Sequence, residues 1–168
     1  MTTLTAFHGS QSKTQITLFR NGMEMQELNR DEEGGILSFG TYFTSDLDTA
    51  NDYANGSVYT CQLTLNNTLD LRTAEGAELA EEFAYESKNE LSCDLFDEEG
   101  YIADELQKGF GTFSVSFDQL GSDPRNVLNT IAAKAQSAGY DSMIFDDESR
   151  DGQSVSYVVF NSNQIEIN

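Results

Sequence analysis

Apolar and polar residues alternate from Thr3 to His8 and stop at Gly9-Ser10, the pattern of a short β-strand with one buried face. A helix is expected over Thr14–Leu28. Gly40 then opens a short aromatic strand through Tyr42, closed by a turn at Thr44-Ser45-Asp46, where Ser45 or Asp46 is placed to cap a helix over Asp48–Ala54. Val58–Leu65 is the strongest strand of the chain, and Asn66–Leu71 forms its exit. Beyond it Leu79, Phe83 and the run from Glu86 to Leu91 recur at roughly helical spacing, Tyr101–Leu106 begins another short helix, and Thr112–Phe117 reads as a strand. Arg125–Ala138 carries Val127, Ile131, Ala132 and Ala135 on one stripe and stops at Gly139, a helix C-terminal signal. Two strands close the chain, one from Gly139 to Phe145 and one through Val155–Phe160. Strands separated by short helices and ended by a hairpin predict an α+β domain with a mixed or split sheet. Neither a G-x-G-x-x-G nor a P-loop spacing occurs, so a doubly wound nucleotide fold is not indicated.

Length and composition sharpen this. The 168 residues suit one domain over 1–168, and a chain of that size buries roughly 70% of the surface it exposes when unfolded, so its core needs no staples. A single proline, Pro124, and the lack of repeats or low-complexity stretches argue against linkers. Cys61 and Cys93 form no C-x-x-C, and with the lone His8 they make a poor metal set, so no metal is expected. Cys61 falls on a core strand and reads as a small buried hydrophobe. With no basic-then-apolar leader and no run of membrane-spanning length, the expectation is a soluble cytoplasmic protein with no membrane partner.

Charge changes the picture of partners. Twenty-nine acidic against nine basic residues give a formal charge of -20, which disfavours direct binding to nucleic acid or to an anionic membrane and favours a basic partner. Twelve carboxylates lie between Glu75 and Glu105, with Lys88 the only base among them, so an acidic helical insertion is expected at about 74–110. Its plain role is a solvated face; its sharper role is a nucleic-acid mimic or a dock for a basic or nucleic-acid-binding protein.

The candidate chemistry is concentrated early. His8 is the only histidine, and Phe7-His8-Gly9-Ser10 is followed by Gly40-Thr41-Tyr42-Phe43 and then by Tyr53. One imidazole and two aromatic faces then flank one cleft suited to a flat ring, against the plain reading of His8 as a satisfied residue at a strand edge. At these residues the chain resembles the ADP-ribosyltransferase superfamily, in the poly(ADP-ribose) polymerase-like or diphtheria-toxin-like branch that carries a His-Tyr-Glu triad. Phe7-His8-Gly9-Ser10 is similar to its HGS motif and Gly40-Thr41-Tyr42-Phe43 to its G-x-Y-F strand. The helix bearing Tyr53, the strand Val58–Leu65, and the last strand pair are similar in order, so the likeness covers residues 3–71 and 127–167. Some small phage-encoded transferases that inactivate CRISPR complexes look similar too.

The resemblance implies a split mixed sheet with flanking helices and NAD used as a substrate. His8 would hydrogen-bond the adenosine-side ribose, Gly9 would read the carboxamide, Ser10 would line the site with Phe43, and Tyr42 and Tyr53 would sandwich nicotinamide. Lys13 and Arg20, close after the motif, would screen the diphosphate, while Arg72 and Arg150 lie near other expected edges, Arg72 more as a partner for carboxylates. Cleavage of nicotinamide from ribose passes through an oxocarbenium-like transition state that needs a nearby carboxylate. The family glutamate stands directly before the aromatic residue of the last strand, where this chain has Ser156. Asp147 is the first replacement, Glu148 the next and Asp146 the third, all in what reads as a loop before the Asp151-Gly152 turn, whose plain role is a solvated hairpin end. Gln164 as a substrate-orienting group and NAD binding without turnover stay open. The function implied is mono-ADP-ribosylation of a protein by a phage-type inhibitor of a host defence complex, acting in the host cytoplasm, since the glutamate used for chain elongation is absent. The alternative is an inactive transferase scaffold that presents acidic helices to a basic partner.

Overall fold

The computed structural model of the protein describes residues 1–10, 39–54, 57–86, 100–110, 116, 124–149 and 152–168. Its elements are β1 (Thr2–Ser10), β2 (Thr41–Thr44), α1 (Leu47–Tyr53), β3 (Ser57–Leu65), β4 (Thr68–Asp70), α2 (Ala74–Glu86), α3 (Tyr101–Gln107), α4 (Pro124–Ser137), β5 (Ser142–Ser149), β6 (Gly152–Val159), a 3-10 turn (Ser162–Gln164) and β7 (Ile165–Ile167). The strands form one sheet in the order β4-β5-β6-β2-β1-β3-β7, antiparallel except for the β4–β5 pair. The fold is therefore a mixed α+β domain, as the alternation of strand and helix patterns predicts. Among the described residues no helix is long and apolar enough to cross a membrane.

The sheet is continuous in order but divided in the middle. β1 pairs along its whole length with β3, from Thr2 against Leu65 to Ser10 against Ser57, and β2 pairs along its whole length with β6, from Thr41 against Val159 to Thr44 against Ser156. Between β1 and β2 the register holds only Phe7 against Thr44. Past that point the two halves part, and the space between them is the cleft described below.

Period-2 alternation assigns each half a face. Met143, Phe145, Val158 and Phe160 point to one side, where Ala77, Ala80 and Ala84 of α2, Ile102 and Leu106 of α3, and Val127, Leu128 and Ile131 of α4 cover them. Ile144, Val159, Phe43, Ala6, Cys61 and Leu63 point to the other. Cys61 is 2% exposed, and burial pushes its thiol up to about 11, so it packs as an apolar group. Helix α2 meets the sheet through alanines and Gly76, while the larger Leu79 and Phe83 are only half-buried beside them. The reason is distance: at Gly76 an added Cβ would stand 2.0 Å from the Asp70 carbonyl, too close for any larger residue.

Several expectations are corrected at the acidic segments. Glu81 and Glu105, counted above among a solvated acidic insertion, are buried. Glu81 accepts from the backbone N–H groups of Gly100 (2.6 Å) and Ala103 (2.7 Å), satisfying the orphan donors that open α3. Glu105 accepts from Ser116 Oγ at 2.6 Å and from Lys108 Nζ. Residues 87–99 lie outside the described ones, as do the expected helix Thr14–Leu28 and the expected strand Thr112–Phe117 except Ser116, which has helical backbone. Asp146-Asp147-Glu148 is not a loop: β5 continues through it to Ser149, with Glu148 opposite Gln153 and Ser149 opposite Gly152. Cross-strand pairing there outweighs the low strand propensity of acidic residues. The chain's last turn also holds Gln164, whose Oε1 accepts from Asn161 N–H and whose Nε2 donates to the Thr64 carbonyl at 3.0 Å, so this side chain fastens β7 to β3.

Local signals that were read correctly have visible partners. Asp46 caps α1, its carboxylate accepting from Thr49 N–H at 2.8 Å and Thr49 Oγ1 at 2.6 Å. At the end of α4 Gly139 has φ +94, and the Tyr140 and Gly139 amides bond back to Ala135 and Gln136, which is the hydrogen-bond pattern of a Schellman stop.

Gly9 has an unforeseen role in packing: a Cβ there would stand 2.0 Å from the Ala50 carbonyl, so α1 lies directly on its backbone. Gly9→Ala is expected to lower stability by about 1–3 kcal/mol through that overlap, read from the shift of the thermal unfolding midpoint. A second prediction concerns acid. Burial alone would raise the Asp70 carboxyl, but Arg72, bonded to both its oxygens at 2.7 and 2.6 Å, outweighs it and holds the group below its ordinary value. A lowered folded-state value contributes stability above the unfolded value and loses it as pH falls through the folded one. Arg72→Gln should therefore unfold at lower temperature than the parent near neutral pH, with the two curves converging in acid.

Candidate active site

Where β1 and β2 separate, a cleft of about 430 Å³ opens between the sheet halves and the start of α4. Phe7, His8 and Gly9 of β1 form one wall, and Tyr42, Phe43 and Thr44 of β2 form the next. Tyr53 closes the mouth from α1, while Phe145, Asp147 and Ser156 form the floor from β5 and β6.

The cleft is held open by one side chain. His8 Nδ1 lies 2.8 Å from the Tyr42 carbonyl, the contact a backbone amide would make had the strands stayed paired. A carbonyl only accepts, so Nδ1 carries the proton and, in the neutral ring, Nε2 is the acceptor. The imidazole also leans on the Phe43 ring, with centroids 5.4 Å apart and tilted by 50°. Tyr42 meets Phe145 edge-on at 6.4 Å, and Phe145 meets Phe110 at 5.6 Å, so the deep wall is a run of aromatic rings. Burial pushes the Tyr42 phenol up to about 12, with the charge of Arg125 pulling the other way. Tyr53 is 62% exposed; desolvation and then the charge of Asp147 raise its phenol, against Arg125.

The strand register sorts two of the three acidic candidates. Phe145 stands opposite Ser156 and Asp147 opposite Ser154, so Asp147 and Ser156 share the cleft face. Ser156 Oγ is 3.1 Å from Asp147 Oδ2 and donates to it. A carboxylate from β5 thus lies against Ser156 of β6, the position at which the sequence resemblance leads one to expect a glutamate. Asp146 faces the other way, where its charge acts on Arg72, and it does not line the cleft. The side chain of Glu148, the remaining candidate, lies outside the described residues.

The structure brings together His8, Gly9, Tyr42, Phe43, Tyr53 and Asp147. Ser10 is 1% exposed and lies beyond the cleft, and Lys13 and Arg20 fall outside the described residues. Sequence reasoning missed Phe110 and the α4 contribution of Arg125, Leu128 and Asn129. Asn129 Oδ1 accepts from Phe39 N–H at 2.8 Å, which ties the start of β2 to α4. A usable signal existed: Arg125 and Asn129 are one helical turn apart and interrupt an otherwise apolar side of that helix.

A family model described as ADP-Ribosyltransferase in polyvalent proteins matches residues 2–166. Among solved structures the chain is similar to one described as the crystal structure of an anti-CRISPR protein, with a TM-score of 0.52 and 17% identity over 99% of this chain and 96% of that one. At that identity the likeness is one of fold. No curated protein matches the chain.

With its phenol pushed up to about 12, Tyr42 is expected to ionise late, so alkaline titration followed by tyrosinate absorbance should lose a high-pH step in Tyr42→Phe. An unchanged profile would place that phenol in water.

Proposed function

This chain belongs to the ADP-ribosyltransferase family of polyvalent proteins, and we propose that it transfers ADP-ribose singly from NAD to a protein, with Asp147 as the carboxylate of the reaction. The observation that carries this is the Ser156–Asp147 hydrogen bond at 3.1 Å inside the cleft that also holds His8, Tyr42 and Tyr53. The carboxylate is supplied from the neighbouring strand while the site keeps its shape.

Each residue then has a physical task. Tyr42 and Tyr53 hold the nicotinamide ring between aromatic faces, and Gly9 exposes backbone beside its carboxamide. His8, its Nδ1–H engaged by Tyr42, presents Nε2 to a ribose hydroxyl. The bond between the nicotinamide nitrogen and ribose C1′ breaks, the electron pair leaves with nicotinamide, and positive charge spreads over C1′ and the ring oxygen. Asp147 stabilises that charge at short range in a site walled by aromatic rings, where an oriented carboxylate acts more strongly than in water. A nucleophile of the target protein then attacks C1′ and gives up its proton. Ser156 orients Asp147 by donating to Oδ2. Lys13 and Arg20 remain proposed screens for the diphosphate.

For the target we propose a basic or nucleic-acid-binding protein of a host defence complex. The charge of -20 supports this, as does the fold shared with a structure described as an anti-CRISPR protein. A second reading has its own observation: Glu75, Glu78, Glu82 and Glu86 lie exposed along one side of α2, a carboxylate stripe with which an inactive scaffold would hold a basic partner.

Incubation with labelled NAD and cell lysate separates the two. Label should pass to protein with the parent chain and fail to pass with Asp147→Ala and with His8→Ala. Transfer that survives Asp147→Ala contradicts the assignment of the carboxylate, and absence of both transfer and NAD binding in the parent favours the inhibitor reading. Among the cations, Lys13→Ala or Arg20→Ala should weaken NAD binding more than Lys108→Ala, whose ammonium is engaged by Glu105; equal losses would discredit their role.

A further inference from the structure

We propose that Arg125 and Asn129, one turn apart on α4, form the wall of the cleft that recognises the diphosphate of the dinucleotide. This rests on the NAD reading above and adds to it the residues that set which way the ligand lies.

Four observations carry it. Arg125 is the only lysine or arginine lining the cleft among the described residues. The other described cations, Arg72, Lys108 and Lys134, do not line it. In a chain of net charge -20 a dianionic group meets a repulsive field, and only a local cation offsets it. Helix stability does not call for this arginine: it is the second residue of α4, where a positive charge opposes the helix macrodipole. Asn129 adds direction. Its Oδ1 is committed to Phe39 N–H, so the end it has left for a ligand is the Nδ2 donor pair.

The result is a cleft with two polar poles. Asp147 lies on the β5 floor, and Arg125 and Asn129 stand on α4. Tyr53, at the mouth, feels both charges, raised by Asp147 and lowered by Arg125. NAD has the complementary pattern, with a cationic nicotinamide ribose at one end and a dianionic diphosphate next to it. Only one orientation satisfies both poles, and it puts the scissile bond at Asp147. The guanidinium and the Asn129 Nδ2 group are donors only, which suits phosphate oxygens.

The test compares NAD with nicotinamide riboside, which has the same nicotinamide ribose and no phosphate, by titration calorimetry. The parent should bind NAD more tightly than the riboside, with NAD binding weakened by salt. Arg125→Gln should weaken NAD by about tenfold or more, the loss of one charge-assisted hydrogen bond, and leave the riboside unchanged. Arg125→Lys should recover part of the loss. Asn129→Asp keeps an acceptor for Phe39 N–H, so its fold is retained, and should likewise weaken NAD alone. Equal losses for both ligands, or no loss in either variant, overturn the inference and leave the NAD reading standing. A parent chain that binds the riboside as well as NAD does the same. A parent that binds neither ligand removes the NAD reading and this inference together.

Discussion

The single hydrogen bond from His8 Nδ1 to the Tyr42 carbonyl decides what this sheet is for. Two strands that meet at Phe7 and Thr44 would ordinarily zip up, and a zipped pair leaves no cavity. A side chain standing where a backbone amide would stand satisfies the carbonyl while holding the strands apart, which removes the penalty for an unpaired acceptor. The same bond chooses the imidazole tautomer and thereby the chemistry of the nitrogen left over. Gly9, next along β1, lets α1 lie on the strand backbone and brings Tyr53 to the cleft mouth. Cleft, tautomer and rim thus follow from three consecutive residues of one strand, Phe7, His8 and Gly9.

Electrostatics are arranged with equal economy. The chain is strongly acidic, yet part of its negative charge does structural work: Glu81 caps α3, Asp46 caps α1, and Asp141 accepts from the amides of Asn66 and Asn67 at the β3–β4 turn. Within the cleft the described charges are one carboxylate and one guanidinium, Asp147 and Arg125, on different elements. The serine at position 156 is consistent with a proposed transferase whose carboxylate has moved one strand over, because a hydroxyl at that site can orient the displaced group where a second carboxylate would repel it.

Much of this was legible in the residues, and the failures have physical causes. Local signals with local meaning were read well: the alternation of β1, the Asp46 cap, the α4 stripe and its Gly139 stop, and the aromatic strand after Gly40. The path of β5 was not, because Asp146-Asp147-Glu148 has poor strand propensity and is held extended only by pairing with β6, a non-local effect. The inner side of α2 was not legible, because hydrophobic periodicity marks large residues, whereas a helix so close to β4 buries Gly76 and alanines instead. Of the cleft, the residues carried by compact motifs were found and those on α4 were not. Arg125 and Asn129 become neighbours of His8 only through the tertiary fold, and the local clues were their spacing of one helical turn and an arginine set against the helix dipole.

The central proposal, that the reaction's carboxylate has passed from β6 to β5, is tested most directly by moving it back. Release of nicotinamide from NAD would be measured for Asp147→Ser and for the double variant Asp147→Ser with Ser156→Glu. A displaced carboxylate predicts that the single variant loses release by about a hundredfold or more and that the double variant regains a substantial part of it. Release at the parent rate in Asp147→Ser would contradict it.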